Sequence, residues 1–249
     1  MILKKEISFE KSIPYHVIIR ALEKIKVFLK EEDRFRFIFQ MFAANIGSPS
    51  FNLHRKDIVK AGKDLLDGKE IQKNLIIIKH PPLISFLSFS FVINHSHFAL
   101  VSNSEDGIPK YMQKLKGGFA KYFNLKYARD SNLFERPYKI IPIQTNFQLD
   151  AVLRYINIIN PLDVYQPGWR EKGLRNKKEA FKFLNKYQFS SFPDLFGKRN
   201  SKILAPKSVL ERYLGEHVAE SKTEFINFTE DYLQEKLIHY YPLFLEKEY

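Results

Sequence analysis

The sequence contains no cysteine among its 249 residues. This absence excludes disulfide bonds, zinc sites built from thiolates and a cysteine nucleophile. Long hydrophobic runs are also absent, since no window reaches the ~18 consecutive apolar residues that a membrane-spanning helix needs. The first twelve residues, MILKKEISFEKS, lack the apolar core of a signal peptide. These absences predict a soluble, cytoplasmic protein with no membrane partner.

Acidic residues are also scarce. The chain has 28 Asp and Glu against 40 Lys and Arg, which gives a formal net charge of +12. Each Lys or Arg that meets a phosphate releases a condensed counterion, so this surplus favours a nucleic-acid partner. A basic protein with no such partner is the alternative. Hydrophobic residues make up 45% of the chain, which is enough for a sizeable core.

Hydrophobic periodicity divides the chain into strands and amphipathic helices. Strands are predicted over residues 14–22 and 83–101, and residues 74–82 are ambiguous between a short strand and the end of a helical connection. The predicted helices cover residues 31–47, 53–68, 108–127, 145–161 and 177–187, with one or two more in the last 45 residues. This order of elements predicts an α+β fold, a sheet with helices packed on it.

The segment FVINHSHFALV, residues 91–101, carries two histidines in an apolar strand. If the strand is continuous from Phe89, His95 and His97 share one face with apolar neighbours, whereas a turn or bulge at Asn94 would re-aim them. Side chains two apart on a strand project in parallel, about 6.5–7 Å apart at Cα, which suits chelation of one ion. The strand offers no third ligand, so two histidines with no ligand role remain the alternative.

Two helices carry further candidates. Thr145 and Gln148 have the spacing of a capping box, and the helix that they open is expected to stop at Pro161, with Tyr155 at the rim of its buried face. The helix over 108–127 carries a series of lysines on its polar positions. Aromatic residues between them favour contact with unpaired bases, and a solvated helix face is the alternative.

Seven short motifs occur in one order from about Tyr15 to about Phe192. They are YHVIIR (15–20), EEDRFRFIF (31–39), VINHSHFALV (92–101), MQKLKGGFAKYFN (112–124), LFERPYK (133–139), LRYINIINPLD (153–163) and FSSF (189–192). Together they resemble the single-tyrosine HUH transposases, and among these the REP-associated tyrosine transposases. The resemblance implies a ferredoxin-like antiparallel sheet over residues 1–200, with a C-terminal helical extension over residues 201–249 that packs on this domain or follows it.

The resemblance also implies an activity, that of a metal-dependent single-stranded DNA endonuclease and strand transferase. His95 and His97 would hold Mg²⁺ or Mn²⁺, and Tyr155 would attack the scissile phosphate to leave a 5′-phosphotyrosine and a free 3′-hydroxyl. Tyr122, Tyr127 and Tyr165 are fallback nucleophiles. The implied partner is single-stranded or hairpin DNA of the REP type, and both a monomer and a homodimer stay open.

One departure from the family pattern concerns the third metal ligand. In the family an asparagine follows the tyrosine by four residues, where this chain has Ile159, and Asn160 lies five residues on. An ideal helix rotates Asn160 about 100° away, so only a one-residue π-bulge or unwinding before Pro161 would restore it. Asn160 is the preferred ligand, because Pro161 is expected to push it out of the α region. Asn157 is the substitute.

The DNA-contacting residues are predicted on the lysine-rich helix and on the turn that follows it. They are Lys110, Lys114, Lys116, Lys121, Arg136 and Lys139. Exposed charges without a DNA role are the alternative for each, and His16 is interpreted as structural. The second function hypothesis is a hairpin or single-stranded DNA-binding protein that lost catalysis through the Ile159 shift and acts in regulation. An RNA-binding ferredoxin-like domain is disfavoured, because RNP signatures are absent.

Overall fold

A computed structural model describes residues 13–215 of the chain. Its main sheet has four antiparallel strands in the order β4-β5-β1-β6. A separate two-stranded ribbon pairs β2 with β3. The strands are β1 Pro14–Arg20, β2 Gly47–Pro49, β3 Ile76–Ile78, β4 Ile84–Phe91, β5 His95–Ser102 and β6 Lys139–Pro142. The ambiguous segment 74–82 therefore contains a short strand.

Helices cover both faces of the main sheet, which confirms the predicted α+β class. They are α1 Glu31–Ile46, α2 Lys56–Leu66, α3 Gly107–Lys126, α4 Asn146–Arg154, α5 Asn160–Tyr165, α6 Trp169–Lys172, α7 Lys177–Lys186, α8 Phe192–Leu195 and α9 Lys207–Leu214. A π-helical segment, Tyr155–Ile159, joins α4 to α5. Within residues 13–215, no helix is long and apolar enough to cross a membrane.

The predicted continuous strand over residues 83–101 is wrong. The chain turns after Phe91, so β4 and β5 form a hairpin in which Ser90 pairs with His97 and Phe91 pairs with Ser96. Directly paired residues in an antiparallel ladder share a face, so His97 lies beside Ser90, and Phe91 points to the opposite face. The turn at Asn94 was the alternative that the sequence left open.

The two faces of the main sheet have different chemistry. Helices α1 and α3 pack on one face, where the rings of Phe37, Phe91 and Phe119 form an aromatic core with centroids 4.9 to 5.0 Å apart. The segment from α4 to α5 packs on the other face, which carries His16 and His97. This arrangement brings the helical segment that carries Tyr155 onto β5, the strand that carries His95 and His97.

The helix that begins at Thr145 runs through Pro161 instead of ending there. The capping box is present as predicted, with Thr145 accepting from the backbone N–H of Gln148. Pro161 lies in the first turn of α5, where the fixed φ of proline is compatible with a helical backbone. Asn160 is helical, with φ −61° and ψ −46°, so the expected displacement of this residue by Pro161 is wrong.

The end of the described chain packs against the main sheet. Helix α9 packs on the histidine-bearing side of the sheet, where Leu214 is buried with Leu87 and Val101. Part of the predicted C-terminal extension, residues 201–215, is therefore packed against the sheet. The further helices predicted in the last 45 residues fall mainly on residues 216–249, which lie outside the described residues.

Candidate functional site

His95 and His97 lie together on β5, an inner strand of the sheet. Their ring centroids are 4.8 Å apart. His97 is fully buried and His95 is half-buried at the start of the strand, where its Nδ1 lies 2.7 Å from Oδ1 of Asn94. The two imidazoles therefore share one face of the sheet, as their i, i+2 spacing predicts.

Tyr155 lies directly against His97. The ring centroids are 5.4 Å apart in an edge-to-face arrangement, and the tyrosine is fully buried. Tyr155 is the first residue of the π-helical segment, which packs on β4 and β5. Because the phenol is buried, a DNA strand can reach its hydroxyl only if covering parts of the chain move.

The π-helical turn places Asn160 one turn after Tyr155. The backbone N–H of Asn160 donates to the carbonyl of Tyr155, five residues back, which is the hydrogen bond of a π-helix. This wider turn absorbs the extra residue, so Asn160 takes the position that the fourth residue would have in an α-helix. The sequence left two ways to bring Asn160 back to this position, a π-bulge or unwinding before Pro161, and the structure has the π-bulge.

The amide of Asn160 lies beside His97 and has an unused acceptor. Its Nδ2 donates to Oγ of Ser90 at 3.4 Å, and Ser90 is the direct partner of His97 across the ladder. Asn160 is fully buried, and its Oδ1 accepts no hydrogen bond within the described part of the chain. A buried carbonyl oxygen without a donor is costly, unless a cation or an ordered water satisfies it.

Asn157, the substitute ligand, is already committed to structure. Its Nδ2 donates to Oγ of Ser88 at 2.9 Å and to the carbonyl of Leu153 at 2.8 Å, and its Oδ1 accepts from Oγ of Ser191 at 2.6 Å. Ser191 belongs to the FSSF motif and also contacts the backbone of β4 at Phe89. Asn157 therefore ties the helix to the sheet, and its oxygen, unlike that of Asn160, already has a donor.

His16 is a neighbour of the site whose role the sequence did not reveal. It lies on β1, is fully buried, and meets His97 edge to edge, with ring centroids 5.3 Å apart and an interplanar angle of 27°. Nε2 of His16 lies 3.1 Å from Nδ1 of His97. The two buried imidazoles are therefore hydrogen-bonded to each other.

Arg170 lies over Tyr155 from α6, and sequence reasoning missed it. Its guanidinium lies 5.4 Å from the centroid of the tyrosine ring, and one of its nitrogens donates to the tyrosine hydroxyl at 3.4 Å. Asp163 accepts hydrogen bonds from Arg170 and from the indole of Trp169, which is fully buried. The signals were weak, namely Asp163 at the end of the LRYINIINPLD motif and the single tryptophan of the chain.

Two imidazoles and one amide oxygen fit a divalent ion such as Mn²⁺, which accepts both nitrogen and oxygen ligands. The orphaned Oδ1 of Asn160 beside His97 supports this fit. Residues 13–215 contain no group of three or more His, Cys, Asp or Glu placed to hold a metal. A metal site at this position would therefore need a further ligand beside the two histidines, and the amide of Asn160 is the candidate.

The fallback tyrosines lie in other environments. Tyr122 and Tyr127 both donate to the buried carboxylate of Asp33, at 2.6 and 2.8 Å. Burial and the negative charge of Asp33 raise the pKa of both phenols well above the ordinary value, which makes them poor nucleophiles. Tyr165 packs on Phe183 at 5.1 Å, on the far end of α5.

Three of the predicted DNA-contacting lysines lie together on one side of α3, away from the histidines. Lys110 pairs with Asp106, and Lys114 donates to the carbonyl of Gly47 and contacts His80. Lys121 is exposed on the same side. Because α3 covers the opposite face of the sheet, the structure does not bring this group to Tyr155.

The other three basic residues lie closer to the histidines. Lys139 and His97 both pair with Ile18 of β1, so they share a face two strands apart, roughly 10 Å at ordinary strand spacing. Arg136 is exposed on the turn before β6, next to Glu135, whose backbone N–H donates to Arg20, the ladder partner of His95.

Lys116 lies on a different side of α3 from Lys110, Lys114 and Lys121 and contacts the turn that carries Arg136. Its Nζ donates to the carbonyl of Glu135 at 2.7 Å. Burial, with the nearby charge of Arg136, lowers the pKa of the Lys116 ammonium to about 8. The charge of this lysine is therefore present at neutral pH and lost in mild alkali.

Comparison with known proteins agrees with the motifs. The family model described as "Transposase IS200 like" matches residues 51–158, a segment that contains His95, His97 and Tyr155. The match confirms the resemblance to transposases and supports a transposase or DNA-binding role. No curated protein matches the chain.

A solved structure of a REP-associated tyrosine transposase bound to a REP hairpin is similar to this chain. The identity is 12%, the TM-score is 0.41, and the alignment covers 75% of this chain and 80% of that one. A likeness at this level transfers no property to the present protein.

Proposed function

We propose that this protein cleaves and rejoins single-stranded DNA through a covalent bond to Tyr155, in the manner of the IS200-like transposases that it resembles. The single observation that carries the proposal is the meeting of His97, Tyr155 and Asn160 on one face of the sheet. The π-helical turn supports it, because this turn brings the displaced amide back to the histidines.

The tyrosine oxygen would attack the scissile phosphorus, forming a phosphotyrosine bond to the 5′ side as the bond to the 3′ oxygen breaks. The departing 3′ oxygen takes a proton and becomes a hydroxyl, which can later reverse the step. A phenol with its ordinary pKa near 10 is a weak nucleophile at neutral pH, so the site must assist it. Arg170 lies where positive charge opposes the negative charge that develops around the attacked phosphate.

His95, His97 and the oxygen of Asn160 would hold a divalent ion, Mg²⁺ or Mn²⁺. When bound, the ion would polarise the phosphate and neutralise charge on its oxygens. The buried position of His97 and Asn160 keeps these ligands in place before DNA arrives. Arg136 and Lys139, together with Lys116, would guide the strand to the site through phosphate contacts.

The test uses hairpin DNA from the flanks of the protein's own gene, incubated with the full chain and Mn²⁺. We expect a covalent protein–DNA adduct on a denaturing gel, no adduct without a divalent ion, and none with Tyr155→Phe. Tyr165→Phe is the matched control, since this tyrosine lies ten residues on and outside the site, and it should form adduct like the parent.

An adduct that persists in Tyr155→Phe would overturn the choice of nucleophile. A parent protein that binds the hairpin but forms no adduct with Mn²⁺ or Mg²⁺ would favour the second function, a DNA-binding protein without catalysis. The Ile159 shift that motivated this second function is compensated by the π turn, so the catalytic proposal is preferred.

A further inference from the structure

We infer that His16 is a positioning residue, which holds His97 in the one tautomer that can bind a divalent ion; this inference rests on the proposed function. His16 is not itself a ligand in this arrangement. It acts through the hydrogen bond between its Nε2 and Nδ1 of His97, 3.1 Å apart and buried on both sides.

The hydrogen bond between two neutral imidazoles has two arrangements with opposite consequences. If Nδ1 of His97 carries the proton and donates to His16, then Nε2 of His97 carries the lone pair that a metal ligand needs. If His16 donates instead, Nε2 of His97 carries a proton and cannot bind an ion. The tautomer of His16 therefore decides whether His97 can serve as a ligand.

The surroundings of Asn160 favour the first arrangement. Ser90 pairs directly with His97 across the ladder, and Nδ2 of Asn160 donates to Oγ of Ser90. The Oδ1 of the same amide accepts no hydrogen bond from the described residues. If Nε2 of His97 carried a proton, it could donate to the Oδ1 of Asn160, yet this oxygen accepts no hydrogen bond from that ring. Two acceptors side by side are what a cation requires.

The position of His16 also fixes the orientation of the His97 ring. His16 comes from β1, the strand hydrogen-bonded to β5, and its ring meets that of His97 edge to edge at an interplanar angle of 27°. Metal-binding histidines are usually oriented through the second ring nitrogen by a carboxylate, a backbone carbonyl or a water. Here the buried imidazole of His16 has this orienting role.

The first measurement is the ¹⁵N spectrum of the histidine rings in the metal-free protein at a single pH where the imidazoles are neutral. We expect His97 to be the Nδ1–H tautomer and His16 to accept at Nε2. A His97 ring protonated at Nε2 would overturn the inference, whatever the catalytic activity of the chain.

The second measurement is the affinity for Mn²⁺ alone, followed by titration calorimetry. His16→Phe keeps an aromatic ring at this position but removes the acceptor, and we expect the dissociation constant for Mn²⁺ to rise by ~10–100-fold. His16→Gln can still accept through its amide oxygen and should stay closer to the parent. His80→Phe, on a histidine outside the site, is the control and should leave the affinity unchanged.

The outcomes separate the inference from the proposed function. If the parent binds Mn²⁺ and forms the DNA adduct while His16→Phe binds Mn²⁺ equally well, the inference fails and the function stands. If the parent neither binds Mn²⁺ nor forms an adduct, the proposed function fails, and the role of His16 toward an ion fails with it. Thermal unfolding of each variant, compared with the parent, shows whether a lost affinity reflects a lost fold.

Discussion

The two faces of the main sheet differ in what they bury. One face buries phenylalanine rings against α1 and α3, as at Phe37, Phe91 and Phe119. The other buries polar side chains against α4, the π segment and α5, including His16, His97, Ser90, Asn157 and Asn160. Apolar burial stabilises a fold without requiring exact partners, whereas a buried polar group must be matched atom by atom.

The difference separates residues that hold the fold from residues for which we propose a chemical role. On the aromatic face Phe37, Phe91 and Phe119 are held by packing alone, so substitution there should change stability and leave the chemistry of the intact protein alone. On the polar face some groups are fully satisfied and others are not. Asn157 has partners for both amide atoms, and Asn160 has an orphaned oxygen.

The largest effect on stability is expected at the centre of the aromatic face. Phe37→Ala removes a fully buried ring that contacts Phe28, Phe91 and Phe119, and we expect it to cost about 3–5 kcal/mol of unfolding free energy. Urea unfolding measures this loss. Adduct formation per folded molecule should be unchanged. A loss of adduct formation in the folded variant would show that the aromatic face also contributes to the chemistry.

Asn157→Ala should also act mainly on stability. The variant leaves Ser88 and Ser191 without their amide partner, which we expect to cost about 1–3 kcal/mol. Urea unfolding is again the measurement, together with Mn²⁺ affinity of the folded protein. A variant of full stability with weakened Mn²⁺ binding would show that Asn157, rather than Asn160, supplies the ligand.

Asn160→Ala, three residues on in the same helical stretch, should have the opposite profile. We expect Mn²⁺-dependent cleavage to fall by ~10–100-fold, because one ligand of the ion is lost. Hairpin binding measured without a divalent ion should remain close to the parent value. Equal cleavage by Asn160→Ala and the parent would contradict the assigned ligand.

The smallest effects are expected from single substitutions of the basic residues. The change in hairpin affinity should depend on which face of the sheet each residue flanks. Arg136→Ala and Lys139→Ala should each weaken hairpin binding and lower the slope of log affinity against log salt by ~0.9, as the loss of one phosphate contact does. Lys121→Ala, on the helix that covers the aromatic face, is the matched control and should change neither. If Lys121→Ala weakened hairpin binding while Arg136→Ala and Lys139→Ala did not, the DNA would lie along α3 instead.

Lys116 adds a pH dependence to this group. Its pKa in the folded protein is about 8, lowered from an ordinary value of 10.5, so its charge is lost as pH rises through about 8. We expect the contribution of Lys116 to hairpin affinity to fade over that range, and Lys116→Met to remove this part of the pH profile. The sign for stability is opposite, since the neutral form is favoured in the folded state and stability gains as pH rises from about 8 toward 10.5.

Local sequence alone determined the elements and several of their ends. The β-branched run of β1, the closure of α1 before Gly47 and the capping box of Thr145 and Gln148 all appear where short-range rules put them. These features depend on backbone propensity and on contacts within one turn. The i, i+2 spacing of His95 and His97 likewise sufficed to put both rings on one face.

Tertiary structure decided what the histidines meet. The turn at Asn94 reversed the chain, so the partner of His97 is Ser90 across the hairpin rather than a phenylalanine along one strand. The π turn and the continuation of the helix through Pro161 exist because the segment packs on β4 and β5, and packing can outweigh the local preference to stop before proline. His16 reaches the site from β1, 81 residues before His97, and Arg170 reaches it from α6, a separate helix 15 residues after Tyr155, so no pattern within one element could place them there.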